Sequence, residues 1–155
     1  MKRLPVRFGV NGQEVRAEFP AHVTLLQALR EMGYTEAKNG CEKGDCGSCT
    51  VLLDGRTVNS CLVLAVQANG REVTTVRGLG TADSLHPLQK NFVEYGAVQC
   101  GFCTPGMILS AKALLDETPH PSKIEVKEGL AGNLCRCTGY VKIIEAVLAA
   151  AGDGK

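Results

Sequence analysis

Eight cysteines in a chain of 155 residues constrain this sequence more than any other feature, because they fall into two groups with short internal spacings. Disulfides would require an oxidising compartment and therefore an export signal. The amino-terminal segment is basic but has no apolar stretch as long as a signal peptide needs, and no apolar run is long enough to span a bilayer. We therefore expect a cytoplasmic protein whose reduced thiols bind metal.

The first cysteine group has the ligand spacing of plant-type two-iron clusters. Four residues separate Cys41 from Cys46, two separate Cys46 from Cys49, and Cys61 follows after eleven more. Glycines stand beside or between these cysteines, and glycine readily adopts the positive φ that lets a loop direct backbone N–H groups at sulfur. The spacing predicts a two-iron cluster, with a structural zinc ion as the alternative.

The second group consists of two close pairs that lie far apart in the sequence. Two residues separate Cys100 from Cys103, one separates Cys135 from Cys137, and 31 residues lie between the pairs. Two cysteines separated by one residue, such as Cys135 and Cys137, are less usual in structural zinc sites than two cysteines separated by two residues. Cys103 and Cys137 also precede predicted helices, whose positive ends stabilise a negatively charged cluster. The pattern favours a polynuclear cluster and leaves zinc open.

Residues 1–77 have the pattern of a β-grasp domain, in which a small sheet curls around one helix. Asn11 and Gly12 lie between two strand-like runs, residues 6–10 and 14–19, and are a strong hairpin signal. Thr24 is predicted to cap a helix that contains the apolar residues Leu25, Leu26, Ala28 and Leu29 and ends near Gly33. Further strands are predicted over residues 50–53 and 57–60, in a short apolar segment from Leu62, and over residues 72–76.

Residues 78–84 are rich in turn formers and are predicted to be a linker to an all-helical domain over residues 85–152. Thr104 is predicted to cap a helix with Pro105 at its first position, and Ser122 and Glu125 match a capping box. The apolar faces of three predicted helices contain Leu85, Leu88, Phe92 and Tyr95; Met107, Ile108, Ala111, Leu114 and Leu115; and Tyr140, Ile144, Val147, Leu148 and Ala151.

Charge and the remaining motifs argue against several function classes. The chain has 17 Lys and Arg against 16 Asp and Glu, without the basic cluster that nucleic-acid binding needs. Residues 78–83 only imitate a dinucleotide-binding loop, because Asp83 replaces the third glycine and no parallel strand follows. His22, His86 and His120 lie far apart, so surface or capping roles are expected. No substrate-converting site is predicted on this chain.

Four segments around the cysteines closely resemble the small iron–sulfur subunit of the molybdenum hydroxylase (xanthine oxidase) family: residues 40–51, 60–62, 99–106 and 132–140. The resemblance covers nearly the whole chain. It implies an α+β architecture, with a plant-type ferredoxin-like domain followed by a helical [2Fe-2S] domain. It assigns one [2Fe-2S] cluster to Cys41, Cys46, Cys49 and Cys61, and a second to Cys100, Cys103, Cys135 and Cys137.

The resemblance also implies a role and partners. Single electrons would pass between molybdopterin on a large subunit and FAD on a medium subunit, within a heterotrimer or a dimer of heterotrimers. Gln99 and Cys137 match positions that contact the pterin in relatives. The substrate and the direction of electron flow depend on the partner chains.

Two other function classes remain open at this stage. A stand-alone two-cluster carrier or redox sensor would share the first cluster, and a zinc-stabilised interaction module would share the fold. Lys43 lies in the loop between Cys41 and Cys46, Arg136 lies between Cys135 and Cys137, and a nearby positive charge favours the reduced cluster. We therefore expect both residues to raise cluster potentials.

Overall fold

The hairpin that begins the fold is produced by a two-residue turn. In the computed structural model, which describes residues 2–152, strand β1 (Arg3–Val10) alternates between buried and exposed side chains. Asn11 and Gly12 take φ angles of 54° and 79°, so strand β2 (Gln13–Pro20) returns antiparallel with Val10 opposite Gln13. The predicted hairpin is confirmed.

In the described part of the chain, residues 2–152, five strands form one sheet in the order β2-β1-β5-β3-β4. Strand β5 runs parallel to β1, and the other strand pairs are antiparallel. Thr24 caps helix α1 through a capping box with Gln27, and the helix packs its buried leucines into the core beneath the sheet. This arrangement is the predicted β-grasp. The bounds are Leu25–Glu31 for α1, Thr50–Leu53 for β3, Arg56–Asn59 for β4 and Glu72–Thr74 for β5.

The apolar segment from Leu62 is not a strand, so that prediction is wrong. The chain instead makes two short 3₁₀ turns, Ser60–Leu62 and Ala65–Ala68, with one isolated bridge between Leu64 and Thr24. The cause lies just upstream, where the Ser60 hydroxyl donates to the carbonyl of Cys49 at 2.7 Å and bends the chain away from the ladder. This bend turns Cys61 towards the first cysteine group.

The second half is helical, as predicted. Its helices are α2 (Pro87–Glu94), α3 (Thr104–Glu117), α4 (Lys123–Gly129) and α5 (Val141–Gly152). A second hydrophobic core is built from the predicted faces, including Leu88, Phe92, Met107, Ile144 and Val147.

Leu85 and Tyr95 are exceptions to the predicted faces, because α2 is shorter than its apolar pattern. They lie outside its ends and are 47% and 42% exposed. Thr104 is the first helical residue of α3 and not its cap, because Cys103 already has helical φ and ψ and its carbonyl accepts from Met107 N–H. His86 has the predicted capping role, since its Nδ1 accepts from Leu88 N–H at 3.2 Å.

The segment between the two cores contains a 3₁₀ turn, Val76–Gly78, and a bridge between Thr81 and Ser84. Residues of the first core lie between Val6 and Val73, and those of the second between Leu88 and Ala150. The division into residues 1–77, 78–84 and 85–152 stays a prediction. Within residues 2–152, no helix combines the length and apolar character that a membrane span requires.

Candidate metal centres

The first cysteine group is assembled by the β3–β4 hairpin and the loop before it. Cys49 directly precedes β3, and Cys61 lies in the turn that follows β4. Antiparallel pairing places Thr50 opposite Asn59, and this brings the two flanking cysteines close together. Both are buried, whereas Cys41 and Cys46 in the loop are half-buried.

The loop directs backbone N–H groups at sulfur, as its glycines predict. Hydrogen bonds from the N–H groups of Lys43, Cys46 and Asp45 lower the pKa of Cys41 to about 6. The loop turns through left-handed conformations at Gly44, with φ 84°, and at Glu42, with φ 56°. The glycines of the loop predicted positive φ angles at glycine positions, but they did not predict the left-handed conformation of Glu42. The result is a thiol held in the thiolate form that binds metal.

Mutual effects among the thiols show that all four cysteines of this group lie close together. Burial, together with contact with Cys49 and the charge of Cys41, raises the pKa of Cys61 to about 11. Cys41 is in turn hydrogen-bonded to the Cys46 side chain, whose Sγ lies 3.1 Å from Ser48 Oγ. The first predicted group therefore converges.

The second group also converges, at the surface of the helical half. Cys100 Sγ and Cys137 Sγ lie 3.5 Å apart, and both residues are exposed. Burial, together with contact with Cys135, raises the pKa of Cys103 to about 12. Burial also opposes ionisation of Cys135, but the hydroxyl and N–H of Thr138 donate to its sulfur and lower its pKa.

Two different elements hold these pairs. Cys103 is the N-cap of α3, as the helix-end argument expects. Cys137 lies four residues before α5, because Tyr140 takes a left-handed φ of 69° and delays the helix to Val141. The helix-end prediction is therefore wrong for Cys137. The hydroxyl of Tyr140 instead accepts from Cys135 N–H at 2.9 Å and fixes that ligand's backbone.

Each of the two groups gathers four thiols, which is the number of protein ligands that either a structural zinc ion or a two-iron cluster takes. A structural zinc needs four ligands around one point. In a two-iron cluster each iron takes two protein ligands, and cysteine thiolates are the usual ones. Each group of four thiols supplies that donor set.

The other predicted site residues lie at the surface. Gln99 is exposed beside Cys100, and Arg136 is exposed between Cys135 and Cys137. Within the described chain, Arg136 has neither an ion pair nor a hydrogen bond. Lys43 Nζ lies 3.2 Å from Asp45 Oδ2, so a neighbouring carboxylate that the sequence reading did not consider offsets its charge.

Exposed apolar side chains also surround the second group. Val98, Phe102, Leu134 and Val141 are each more than a third exposed. Large apolar side chains at the surface mark interaction sites when they cluster. These four come from segments that carry or flank the ligands, so we call them the apolar rim of the second group.

Two family models match the chain and divide it between them. A model described as "2Fe-2S iron-sulfur cluster binding domain" matches residues 8–77, and one described as "[2Fe-2S] binding domain" matches residues 75–148. The first match contains the first cysteine group and the second match contains the second.

Curated relatives and solved structures match nearly the full length of the chain. The nicotine 6-hydroxylase small subunit of Paenarthrobacter nicotinovorans is 49% identical over 97% of this chain and 92% of its own length. The nicotinate dehydrogenase small FeS subunit of Eubacterium barkeri is 45% identical over 95% of this chain and 94% of its own.

Among solved structures, quinoline 2-oxidoreductase from Pseudomonas putida 86 superposes with a TM-score of 0.94 at 46% identity, covering 98% of this chain and 96% of that one. The aldehyde oxidoreductase from Desulfovibrio desulfuricans superposes with a TM-score of 0.93 at 44% identity. That match covers 96% of this chain and 17% of the longer one.

Proposed function

Since this chain belongs to the small [2Fe-2S] subunits of the molybdenum hydroxylase family, and is thus an iron–sulfur subunit of an oxidoreductase, we propose that it relays single electrons between molybdopterin and FAD. The observation that carries this proposal is the gathering of all eight thiols into two separate groups of four. Two clusters in series would pass on singly the two electrons of a substrate oxidation. The substrate lies outside this chain's own chemistry.

The proposed ligands are the two convergent groups. A [2Fe-2S] cluster, when bound, accepts and releases one electron at a time. The chain's own residues hold it, exclude water and set its charge environment: Cys49 and Cys61 are buried, and the N–H groups around Cys41 point at sulfur. The first cluster is proposed on Cys41, Cys46, Cys49 and Cys61, and the second on Cys100, Cys103, Cys135 and Cys137.

The proposed partners are a large molybdopterin-binding subunit and a medium FAD-binding subunit, in a heterotrimer or a dimer of heterotrimers. The exposure of Gln99 and Cys137 supports the proposal that the second group faces the pterin, because both residues lie at the surface beside the apolar rim. The first group is proposed to face FAD. We place the assembled enzyme in the cytoplasm, consistent with thiols that remain free for iron.

The relatives support a subunit of this kind in two arrangements. The nicotine and nicotinate enzymes have a separate small subunit, whereas the aldehyde oxidoreductase from Desulfovibrio desulfuricans is a chain of which this one matches only 17%. We propose the separate arrangement for this protein, with residues 1–77 and 85–152 as its two cluster domains and residues 78–84 as their linker.

Metal analysis of the natively purified protein, combined with EPR, tests the proposal. We expect four irons and four acid-labile sulfides per chain, two inequivalent EPR signals after dithionite reduction, and co-purification with chains that hold molybdenum and FAD. Zinc, or iron for one cluster only, would contradict the relay. A stable two-cluster monomer that purifies without a molybdenum chain would instead favour the stand-alone carrier.

A further inference from the structure

One backbone hydrogen bond connects the two cysteine groups. Leu134 N–H donates to the carbonyl of Cys46 at 2.9 Å, and Leu134 is covalently joined to Cys135. A ligand of the first proposed cluster is therefore linked to a ligand of the second through one hydrogen bond and one residue. The inference below rests on the proposed function and concerns what holds this contact in place.

Asn133 ties together three elements at this contact. Its Nδ2 donates to the carbonyl of Gly47 at 3.0 Å and to the hydroxyl of Thr50 at 3.2 Å. Its Oδ1 accepts from the Ser110 hydroxyl of α3 at 2.7 Å. A carbonyl oxygen can only accept, so the amide nitrogen must face Gly47 and the amide oxygen must face Ser110. Asn133 is 5% exposed, which leaves water little access to these bonds.

The backbones around Asn133 approach too closely for side chains. A Cβ at Gly47 would overlap the carbonyl oxygen of Gly132, and a Cβ at Gly106 would lie 2.5 Å from the carbonyl oxygen of Gly47. Glycine at both positions lets the first loop, α3 and the second loop meet without intervening side chains. The side chain of Asn133 therefore fills the space at this junction and forms hydrogen bonds across it.

From these contacts we infer that Asn133 is a positioning residue that fixes the separation of the two cysteine groups and thereby the electronic coupling between the clusters bound there. In the transfer that the coupling serves, one electron leaves the reduced cluster of one group and enters the oxidised cluster of the other. No covalent bond breaks, and no proton leaves a ligand. Within the described chain Asn133 makes no hydrogen bond to a cysteine sulfur, and it acts through its bonds to Gly47, Thr50 and Ser110 and through its neighbour Leu134.

The test uses the full chain with both clusters, in three forms: wild type, Asn133→Asp and Ser110→Ala. Asn133→Asp keeps the shape but places a carboxylate oxygen against the Gly47 carbonyl, whereas Ser110→Ala removes only the bond to the amide oxygen and leaves that buried oxygen without its partner on α3. We expect both variants to lose the spin–spin splitting between the two reduced clusters in EPR. We also expect the peptide containing the Leu134 amide to exchange hydrogen roughly tenfold faster, because a buried hydrogen bond is weakened.

Asn59→Ala is the matched control. Asn59 Nδ2 also donates to a carbonyl of the first loop, that of Gly44 at 3.2 Å, but this bond does not involve the second group. The control should keep both the splitting and the slow exchange of the Leu134 amide. Only preparations with equal iron and sulfide per chain are compared, so that loss of folding is not read as loss of coupling.

The outcomes separate this inference from the proposed function. If Asn133→Asp and Ser110→Ala hold two clusters and keep the wild-type splitting and exchange rate, the positioning role is overturned and the proposed function stands. If the wild-type chain does not hold two clusters, the proposed function fails and the inference fails with it. If wild-type splitting is too small to resolve, the exchange rate of the Leu134 amide alone decides.

Discussion

Gly47→Ala should destabilise the junction between the two halves far more than an ordinary substitution at a positive φ. Gly47 has φ 69°, and an alanine there takes on the left-handed strain of roughly 1–2 kcal/mol. Its Cβ would also overlap the carbonyl oxygen of Gly132 and lie 2.8 Å from Asn133 Nδ2. The loops must then separate and weaken a buried hydrogen bond, at a cost of about 1–3 kcal/mol.

The total of about 2–5 kcal/mol corresponds to a fall in Tm of roughly 4–20 °C for a chain of this size. Gly12→Ala is the matched control, because Gly12 has a similar φ of 79° but nothing lies within 4 Å of an added Cβ. The Gly12→Ala variant should lower the Tm only by the amount that the left-handed strain costs. Both variants are compared with wild type by circular dichroism melting at equal cluster content. A fall for Gly47→Ala no larger than that for Gly12→Ala would refute the argument from close backbone contact.

Two further predictions concern the clusters. Cys61→Ala and Cys135→Ala should each remove about half of the iron and sulfide and one EPR signal, because each residue belongs to a different group; loss of the same signal in both variants would contradict the grouping. Arg136→Ala should lower the potential of the second cluster by roughly 20–40 mV in an EPR-monitored redox titration, since an exposed, unpaired positive charge is removed. Arg136→Lys keeps the charge and should leave the potential unchanged, and an equal shift in both variants would show that charge is not the cause.

Local interactions made much of the fold predictable from the sequence. The turn at Asn11 and Gly12 and the capping box of Ser122 with Glu125 each depend on residues within three positions of one another, and both form as predicted. The shortest spacings among the cysteines, Cys46 to Cys49, Cys100 to Cys103 and Cys135 to Cys137, are equally local. The spacing of apolar residues identified the buried faces of the helices, because residues that recur with the helical period lie on one face of a helix.

The failures occur where distant residues decide the outcome. Leu62 lies in a segment with strand character, but a hydrogen bond from Ser60 to Cys49 turns that segment out of the sheet. Asn133 was not singled out, because its partner Gly47 is 86 positions away in the sequence. Tyr140 delays α5 by adopting a left-handed conformation that an aromatic residue rarely takes. Short-range sequence patterns reveal neither the hydrogen bonds of Ser60 and Asn133 nor the left-handed conformation of Tyr140.

The unequal burial of the two thiol groups gives the maturation of this protein an order. Cys49 and Cys61 are buried, so their thiols are less accessible to iron and sulfide once the amino-terminal half has folded. Cys100 and Cys137 face outwards and can receive iron and sulfide after the helices have formed. When the folded, iron-free chain is reconstituted, we expect the second group, in which Cys100 and Cys137 are exposed, to fill first. Equal filling rates of the two groups by time-resolved EPR would argue against such an order.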